Sequence, residues 1–275
     1  MTSLEGKVVI ITGASSGFGA AASKLFSEEG SKVVLAARRL ERLEEMAEEI
    51  RAQGGDALPI STDVTRHEQI QSMVESTLEK YGRIDVLFNN AGFGRLDWFE
   101  TFDPHKDIQA QINVDLLGVV WTARAVLPHM YEQGSGHIIN MCSIGGWAAP
   151  PLYTVYSAAK FGVRGFSEAL RRESTPLGVE VSTVYPGGSS TEFQKHVGDN
   201  EAKKRFTTPK WLKVTPEEVA RGVVGLAKRP RRSLFLPWIM GLSVFFNSHF
   251  PRISDYLQAK IFAPYHREDL KMRGD

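Results

Sequence analysis

Hydrophobic positions along the chain alternate between two patterns. Short unbroken apolar runs end at glycine or polar residues, and longer stretches between them carry apolar residues at three- and four-residue spacing. Lys7–Ile11 is a β-branched run stopped at Thr12–Gly13. Gly17 to Gly30 reads as a helix that ends on glycine. Lys32–Ala37 is a second strand, followed by Leu40, Leu43, Met46, Ala47 and Ile50 on one helical face and by Gly54–Gly55. Ala57–Ser61, Ile84–Phe88, His137–Met141 and Val179–Val184 read as further strands, and Ile70, Met73, Val74 and Leu78 mark a helix ending near Gly82. Long helical stretches are predicted over about 104–131 and 153–176, and Leu234–Leu236 completes a seventh strand. Strands apolar on both faces, alternating with helices, make a parallel sheet covered on both sides. Right-handed crossovers then make it doubly wound, with ligands expected at the carboxyl ends of the strands.

Composition narrows this reading. The 275 residues carry no internal repeat and no low-complexity linker, so a single domain over 1–275 is expected. With 42% hydrophobic and 24% charged residues, disorder is excluded. Lys plus Arg number 33 and Asp plus Glu 32, a net charge of +1 that argues against a nucleic-acid surface. Cys142 is the only cysteine, which rules out an intrachain disulfide and a multi-cysteine metal site and fits a reducing compartment. No basic region with a long apolar stretch opens the chain, and a cytoplasmic location is expected.

Two segments carry candidate chemistry. The first strand runs into Thr12-Gly13-Ala14-Ser15-Ser16-Gly17-Phe18-Gly19. Glycines there let the backbone turn tightly and approach a pyrophosphate, which a helix N-terminus stabilises. The second strand ends in Ala36-Ala37-Arg38-Arg39, with no acid to accept bonds from ribose hydroxyls and repel a 2′-phosphate. A guanidinium pairs with a phosphate, so NADP(H) is expected, with Arg38 the main contact and Ser15 its helper. The second segment is Tyr156-Ser157-Ala158-Ala159-Lys160 at a helix start. Residues four apart share a helix face, and a neighbouring ammonium lowers a phenol's pKa toward use as a general acid or base.

The order of motifs adds specificity. The glycine loop, Asn89-Asn90-Ala91-Gly92, Asn113, Ser143 and Tyr156/Lys160 follow one another along the chain, and over about residues 5–192 the sequence resembles the short-chain dehydrogenase/reductase family. The resemblance implies a Rossmann-type sheet of about seven strands. It implies Tyr156 as proton donor or acceptor, Ser143 as the hydroxyl on the substrate oxygen, and Lys160 as the group that holds the nicotinamide ribose. Asn113 matches the residue that holds a relay water. Asp63 and Val64 match the pair at the adenine, although Asp63 fits equally an N-cap before the helix at Arg66. Asn90, Ala91 and Gly92 match the segment beside the adenosine ribose, with Asn90 the side-chain contact. Pro186, Gly187 and Thr191 match the turn beside the carboxamide. A homodimer or homotetramer through the helices near 104–131 and 153–176 is also implied.

Beyond these motifs the chain has its own features. Residues 187–215 are long and charged, as a lid over the site would be, and Thr215-Pro216-Glu217-Glu218 reads as a helix start. Lys228-Arg229-Pro230-Arg231-Arg232 precedes Ser233–Phe250, eighteen residues without Asp, Glu, Lys or Arg, which begin an apolar extension over 233–275. Pro237, Gly241 and Asn247 interrupt the run, and it is too short to span a bilayer. Two readings stay open besides a plain core extension. In one, 228–250 lies on a membrane with the basic cluster on anionic lipid. In the other, the segment folds over the pocket or against another subunit. Phe93, Gly94, Gly145, Trp147, Tyr153 and Phe193 are pocket candidates by position, and their apolar character points to a lipophilic alcohol or carbonyl substrate. The sequence thus predicts an NADP(H)-dependent oxidoreductase. The alternatives are a 3-oxoacyl-carrier reductase and a non-catalytic NADP-binding sensor or scaffold at a membrane surface.

Overall fold

The computed structural model describes residues 2–189 and 212–273. Seven parallel strands form one sheet: β1 (Val8–Thr12), β2 (Lys32–Ala37), β3 (Asp56–Ser61), β4 (Val86–Asn89), β5 (Gly136–Met141), β6 (Val179–Pro186) and β7 (Ser233–Leu236), in the order β3-β2-β1-β4-β5-β6-β7. The helices are α1 (Gly17–Glu28), α2 (Leu40–Ala52), α3 (His67–Tyr81), α4 (a continuous run over 104–132), α5 (Thr154–Ser174), α6 (Pro216–Lys228), α7 (Met240–His249) and α8 (Pro251–Arg273).

The two-residue period of a strand divides the core into two layers. Val9, Ile11, Val33 and Leu35 face α1, α2 and α6, through Phe26, Leu43, Ile50 and Val223. Val8, Ile10, Val34 and Ala36 face α3, α4 and α5, through Ile70, Met73, Val126 and Leu170. The central strands are therefore buried on both sides. Each fully buried Val or Ile contributes roughly 1.5–3 kcal/mol, which explains the continuous β-branched runs. The expected start of α6 is realised as a capping box: Glu218 N–H donates to Thr215 Oγ1 at 3.2 Å and Thr215 N–H to Glu218 Oε2 at 2.8 Å.

Strand order reverses between β1 and β4, and the cleft opens at the carboxyl ends there. After β7, α7 and α8 cross back over this end of the sheet. Trp98 Nε1 donates to a carboxylate oxygen of Asp269, the Trp98 ring stacks on His266 at 3.8 Å, and Phe262 and Tyr265 pack against Trp98 and Leu152. The basic cluster ahead of β7 does not share this location. Strand β7 separates Arg232 from α7 by four extended residues, about 13 Å. Lys228 pairs with Glu29 at 2.6 Å and Arg232 with Glu168 at 3.1 Å. Residues 228–232 thus stand at the far end of β7 from α7, with Lys228 and Arg232 in ion pairs.

Candidate active site

The glycine loop is built by close contact between strand ends. Gly13 (φ +67°) and Gly17 (φ +55°) take backbone conformations that favour glycine. A Cβ on Gly13 would lie 2.8 Å from Ala91 Cα, and one on Gly19 would lie 2.3 Å from the Gly13 carbonyl oxygen. Thr12 Oγ1 accepts from the N–H groups of Asn90 and Ala91, at 2.9 and 3.0 Å. Asn90 Nδ2 donates to the carbonyls of Thr12 and Gly13 at 3.0 and 3.3 Å. Asn90 lines the cleft, and its amide nitrogen ties β4 to the loop.

From this loop runs a cleft of about 1680 Å³, larger than the 300–1,000 Å³ typical of a single small-ligand pocket. One end is lined by Gly13, Ser15, Ser16, Gly17 and Phe18, by Arg38 and Arg39, by Asp63 and Val64, and by Asn90, Ala91 and Gly92. Ser16, the N-cap of α1, makes no side-chain cap bond, and no acid stands in the first turn, so that turn's N–H groups and dipole suit an anion. Arg39 reaches back to the loop, its Nη2 donating to Ser15 Oγ at 2.8 Å and Ser16 Oγ at 3.0 Å, while Arg38 is exposed at the cleft. Asp63 Oδ1 accepts from Thr65 N–H and Thr65 Oγ1 at 2.9 and 2.7 Å, a local turn, and the N-cap of α3 is Arg66. These donors, with the cradle that only glycine permits, fit the pyrophosphate and sugars of a dinucleotide.

The other end of the cleft gathers Ser143, Tyr156, Lys160, Asn113, Gly145, Tyr153, Phe93, Pro186 and Gly187. Ser143 follows β5, and its Oγ accepts from Gly145 N–H at 3.0 Å and is hydrogen-bonded with Tyr156. Lys160 Nζ, one helical turn beyond Tyr156, lies 5.6 Å from the Tyr156 ring centroid and donates to the Met141 carbonyl at 3.4 Å. Burial pushes the Tyr156 phenol well above its ordinary pKa; the negative charge of Asp115 adds to this, and the Ser143 hydrogen bond opposes it. Lys160 Nζ also lies 3.8 Å from Asp115 Oδ1, so the ammonium is shared between the phenol and a buried carboxylate.

Asp115 is the residue that the sequence reading missed. The expectation put Asn113 in the relay; Asn113 lines the cleft, but Asp115 meets Lys160. Asp115 is fully buried, and its Oδ1 accepts from Phe93 N–H at 3.0 Å. Burial raises its carboxyl to about 6 against the pull of Lys160. Helix α4 is wound in wide π-type turns over Pro104–Gln109 and Asn113–Leu117, as helices often are near functional sites. A signal was present: Gln111, Asp115, Gly118 and Thr122 are all buried at four-, three- and four-residue spacing, one inward face.

Other expectations divide. Trp147 turns from the cleft, packing its ring on Tyr185 and Phe235 at 6.0 and 6.4 Å beneath the Arg164 guanidinium. Gly94 is buried and does not line the cleft, and Gly19 is buried behind the loop. Thr191 and Phe193, with most of the 187–215 segment, lie outside the described residues. Of the two readings of the C-terminal extension, the geometry bears on the pocket: Met240, Ser243, Asn247, Leu257 and Phe262 line the cleft. Among the described residues no helix is long and apolar enough to cross a membrane, and no cluster of His, Cys, Asp and Glu can hold a metal ion.

Comparison with known proteins agrees with this architecture. A family model described as short chain dehydrogenase matches residues 7–202. An uncharacterized oxidoreductase of Staphylococcus saprophyticus is 37% identical over 236 residues, 85% of this chain and 94% of its own length. One of Listeria monocytogenes is 38% identical over 230 residues, 82% and 92% of the two chains. Among solved structures, a short-chain dehydrogenase/reductase from Burkholderia phymatum in complex with NAD superposes with a TM-score of 0.81 at 26% identity, covering 92% of this chain and 97% of that one. A 3-ketoacyl-(acyl-carrier-protein) reductase from Brucella melitensis complexed with NADH gives 0.77 at 31%, covering 85% and 98%. An alcohol dehydrogenase from the archaeon Thermococcus sibiricus complexed with 5-hydroxy-NADP gives 0.74 at 30%, covering 84% and 96%. With its sheet order, its glycine cradle and the Ser143–Tyr156–Lys160 grouping on one cleft wall, this chain belongs to the short-chain dehydrogenase/reductase family of oxidoreductases.

Proposed function

We propose that the protein is an NADP(H)-dependent oxidoreductase acting on a secondary alcohol/ketone or aldehyde of a lipophilic substrate, with Tyr156 as the general acid or base. The observation that carries this reading is the hydroxyl pair Ser143–Tyr156, with Lys160 one turn on, in the same cleft as an anion-suited glycine loop. When bound, the nicotinamide supplies or accepts the hydride. Tyr156 gives its phenolic proton to the carbonyl oxygen, or takes the alcohol proton in the reverse direction. Ser143 Oγ–H stabilises charge on that oxygen. Lys160 holds the cofactor ribose and favours the phenolate. A phenol held above its ordinary pKa is fully protonated at neutral pH, which suits carbonyl reduction. Arg38 is the contact for a 2′-phosphate, with Ser15 as helper; the acid-free end of β2 supports NADP over NAD.

The lipophilic substrate is supported by the cleft wall: Phe93, Tyr153, Met240, Leu257 and Phe262 face the reaction end. The likeness to a 3-ketoacyl-(acyl-carrier-protein) reductase favours a second reading, reduction of a carrier-bound 3-oxoacyl group. Against it stand α7 and α8, which crowd the cleft mouth where a carrier protein would approach. An intact set of Asn113, Ser143, Tyr156 and Lys160 weighs against a non-catalytic sensor. Assembly as a homodimer or homotetramer through α4 and α5 belongs to the same proposal. The test is NADPH oxidation over a panel of hydrophobic ketones and aldehydes, with Tyr156→Phe as control. That variant keeps NADPH affinity and loses about 10²–10⁴-fold in turnover. Substantial residual turnover refutes the role of Tyr156, and preference for small polar sugars or acids refutes the substrate class.

A further inference from the structure

Ten of the fifteen large hydrophobic side chains that the described residues expose fall within 238–261, so the exposed apolar surface of the described residues is concentrated on one C-terminal structure. Monomeric soluble proteins rarely leave such a surface bare. On α7, Ser243, Val244 and Asn247 point inward, Ser243 and Asn247 lining the cleft and Val244 buried. The opposite side carries Leu242, Phe245 and Phe246, which are 60%, 57% and 40% exposed. Trp238, just before the helix, is 76% exposed.

Helix α8 is divided in the same way. At 100° per residue, Ser254, Gln258, Phe262, Tyr265 and Asp269 fall on one side, and each of these lines the cleft or packs toward Trp98. Ile253, Tyr256 and Leu257 fall on the other, 50%, 65% and 46% exposed, and Ile261, 49% exposed, stands at the boundary between the two sides. Lys260, Arg267 and Lys271 continue that outer side, all exposed, with Glu268 the one acid beside them. None of the three cations has an ion pair among the described residues. Ser254 Oγ donates to Asn247 Oδ1 at 2.8 Å and fixes the two helices to each other.

We propose that the outer sides of α7 and α8 dock on the surface of a lipid bilayer carrying anionic headgroups, so that the mouth of the cleft faces the apolar phase. Three observations select this occupant. Aliphatic and aromatic side chains share one side with cations, as on helices that lie in a membrane interface. Trp and Tyr, the side chains suited to the headgroup boundary, are the two most exposed of the ten. Leu257, Ile261 and Phe246 are both exposed and cleft-lining, so the rim of the mouth is itself apolar. A second copy seated there would close that mouth, whereas a fluid lipid surface leaves it open to a lipophilic molecule. The docking is independent of which reaction the cleft carries, and its test uses no substrate.

The experiment is co-sedimentation of the full chain with vesicles of phosphatidylcholine, with and without phosphatidylglycerol. The protein binds, and binds phosphatidylglycerol vesicles more tightly, with salt weakening that preference. Leu242→Glu and Phe245→Glu each lower partitioning by about tenfold or more, since neither side chain touches the cleft or the core. Lys260→Glu with Arg267→Glu abolishes the preference for anionic vesicles. NADPH affinity and melting temperature stay at the wild-type values in all of these variants. The proposal is overturned if the wild type stays in the supernatant, or if Phe245→Glu sediments as the wild type does. It is overturned equally if light scattering finds an oligomer that Phe245→Glu dissociates, which would put a second copy on this face.

Discussion

Asp115 Oδ1 stands 3.8 Å from Lys160 Nζ, with both side chains almost wholly removed from solvent. The ammonium one turn beyond Tyr156 therefore shares its field with a carboxylate. That carboxylate raises the Tyr156 phenol, in the same direction as burial. Asp115→Asn keeps an oxygen for Phe93 N–H and removes the charge. The expected result is a lower Tyr156 pKa. In carbonyl reduction the protonated phenol is the active form, so the alkaline limb of kcat/KM moves to lower pH. An alkaline limb that does not move in this variant contradicts the coupling.

The same carboxyl leaves a mark on stability. It is held at about 6 in the folded chain, above the roughly 4 of an unfolded carboxyl. The folded state thus binds a proton that the unfolded state has lost, and stability from this group falls as pH rises through that window. Thermal melting between roughly pH 4 and 7 should show this slope in the wild type and a flatter one in Asp115→Asn.

Arg38 and Arg39 should separate by function. Arg39 braces Ser15 and Ser16, so Arg39→Ala loosens the loop and weakens NADP and NAD alike. Arg38→Ala removes only a charge-assisted contact to the 2′-phosphate, a loss of about 1.5–3 kcal/mol, or roughly 10- to 150-fold in NADP affinity. NAD affinity is unchanged in that variant. Fluorescence titration with both cofactors decides it, and an unaltered NADP preference in Arg38→Ala would remove Arg38 from the assignment.

Gly13 tolerates no side chain. At φ +67°, with a Cβ 2.8 Å from Ala91 Cα, Gly13→Ala meets both backbone strain and a backbone contact that cannot rotate away. A loss of at least ~1 kcal/mol in stability is expected, together with a larger fall in cofactor affinity. Gly134→Ala has the same sign of φ (+63°) and nothing within 4 Å of its Cβ. It should lose less stability than Gly13→Ala and leave cofactor affinity intact, as melting and cofactor titration would read.

The bond from Trp98 Nε1 to Asp269 anchors α8 over the cleft. Asp269→Ala leaves the indole N–H unpaired and costs roughly 1.5–3 kcal/mol, concentrated on the C-terminal helix. Hydrogen exchange should quicken over residues 251–270 and remain slow in β1 and β4. Uniform quickening over the sheet would show that α8 is not a separately docked unit.

The central strands were legible because a sheet covered on both faces favours unbroken apolar runs, and the chain supplies them at Val8–Ile11 in β1 and Val33–Ala37 in β2. The glycine loop and the Tyr156/Lys160 pair were legible too. A tight turn and a one-turn helical spacing are local properties, set by neighbours in the chain. Tertiary structure decided the rest. Asn113 and Asp115 are two residues apart, and only the wide-turned α4, packed by Gly118 against Val64, selects which of them meets Lys160. Trp147 and the basic cluster at 228–232 read as site and membrane elements in one dimension. In three dimensions Trp147 turns toward Tyr185 and Phe235, and the length of β7 carries the cluster away from α7. Contacts between segments more than a hundred residues apart, such as Trp98 with Asp269, carry no local periodicity, because their energy is realised only after the chain has folded back on itself.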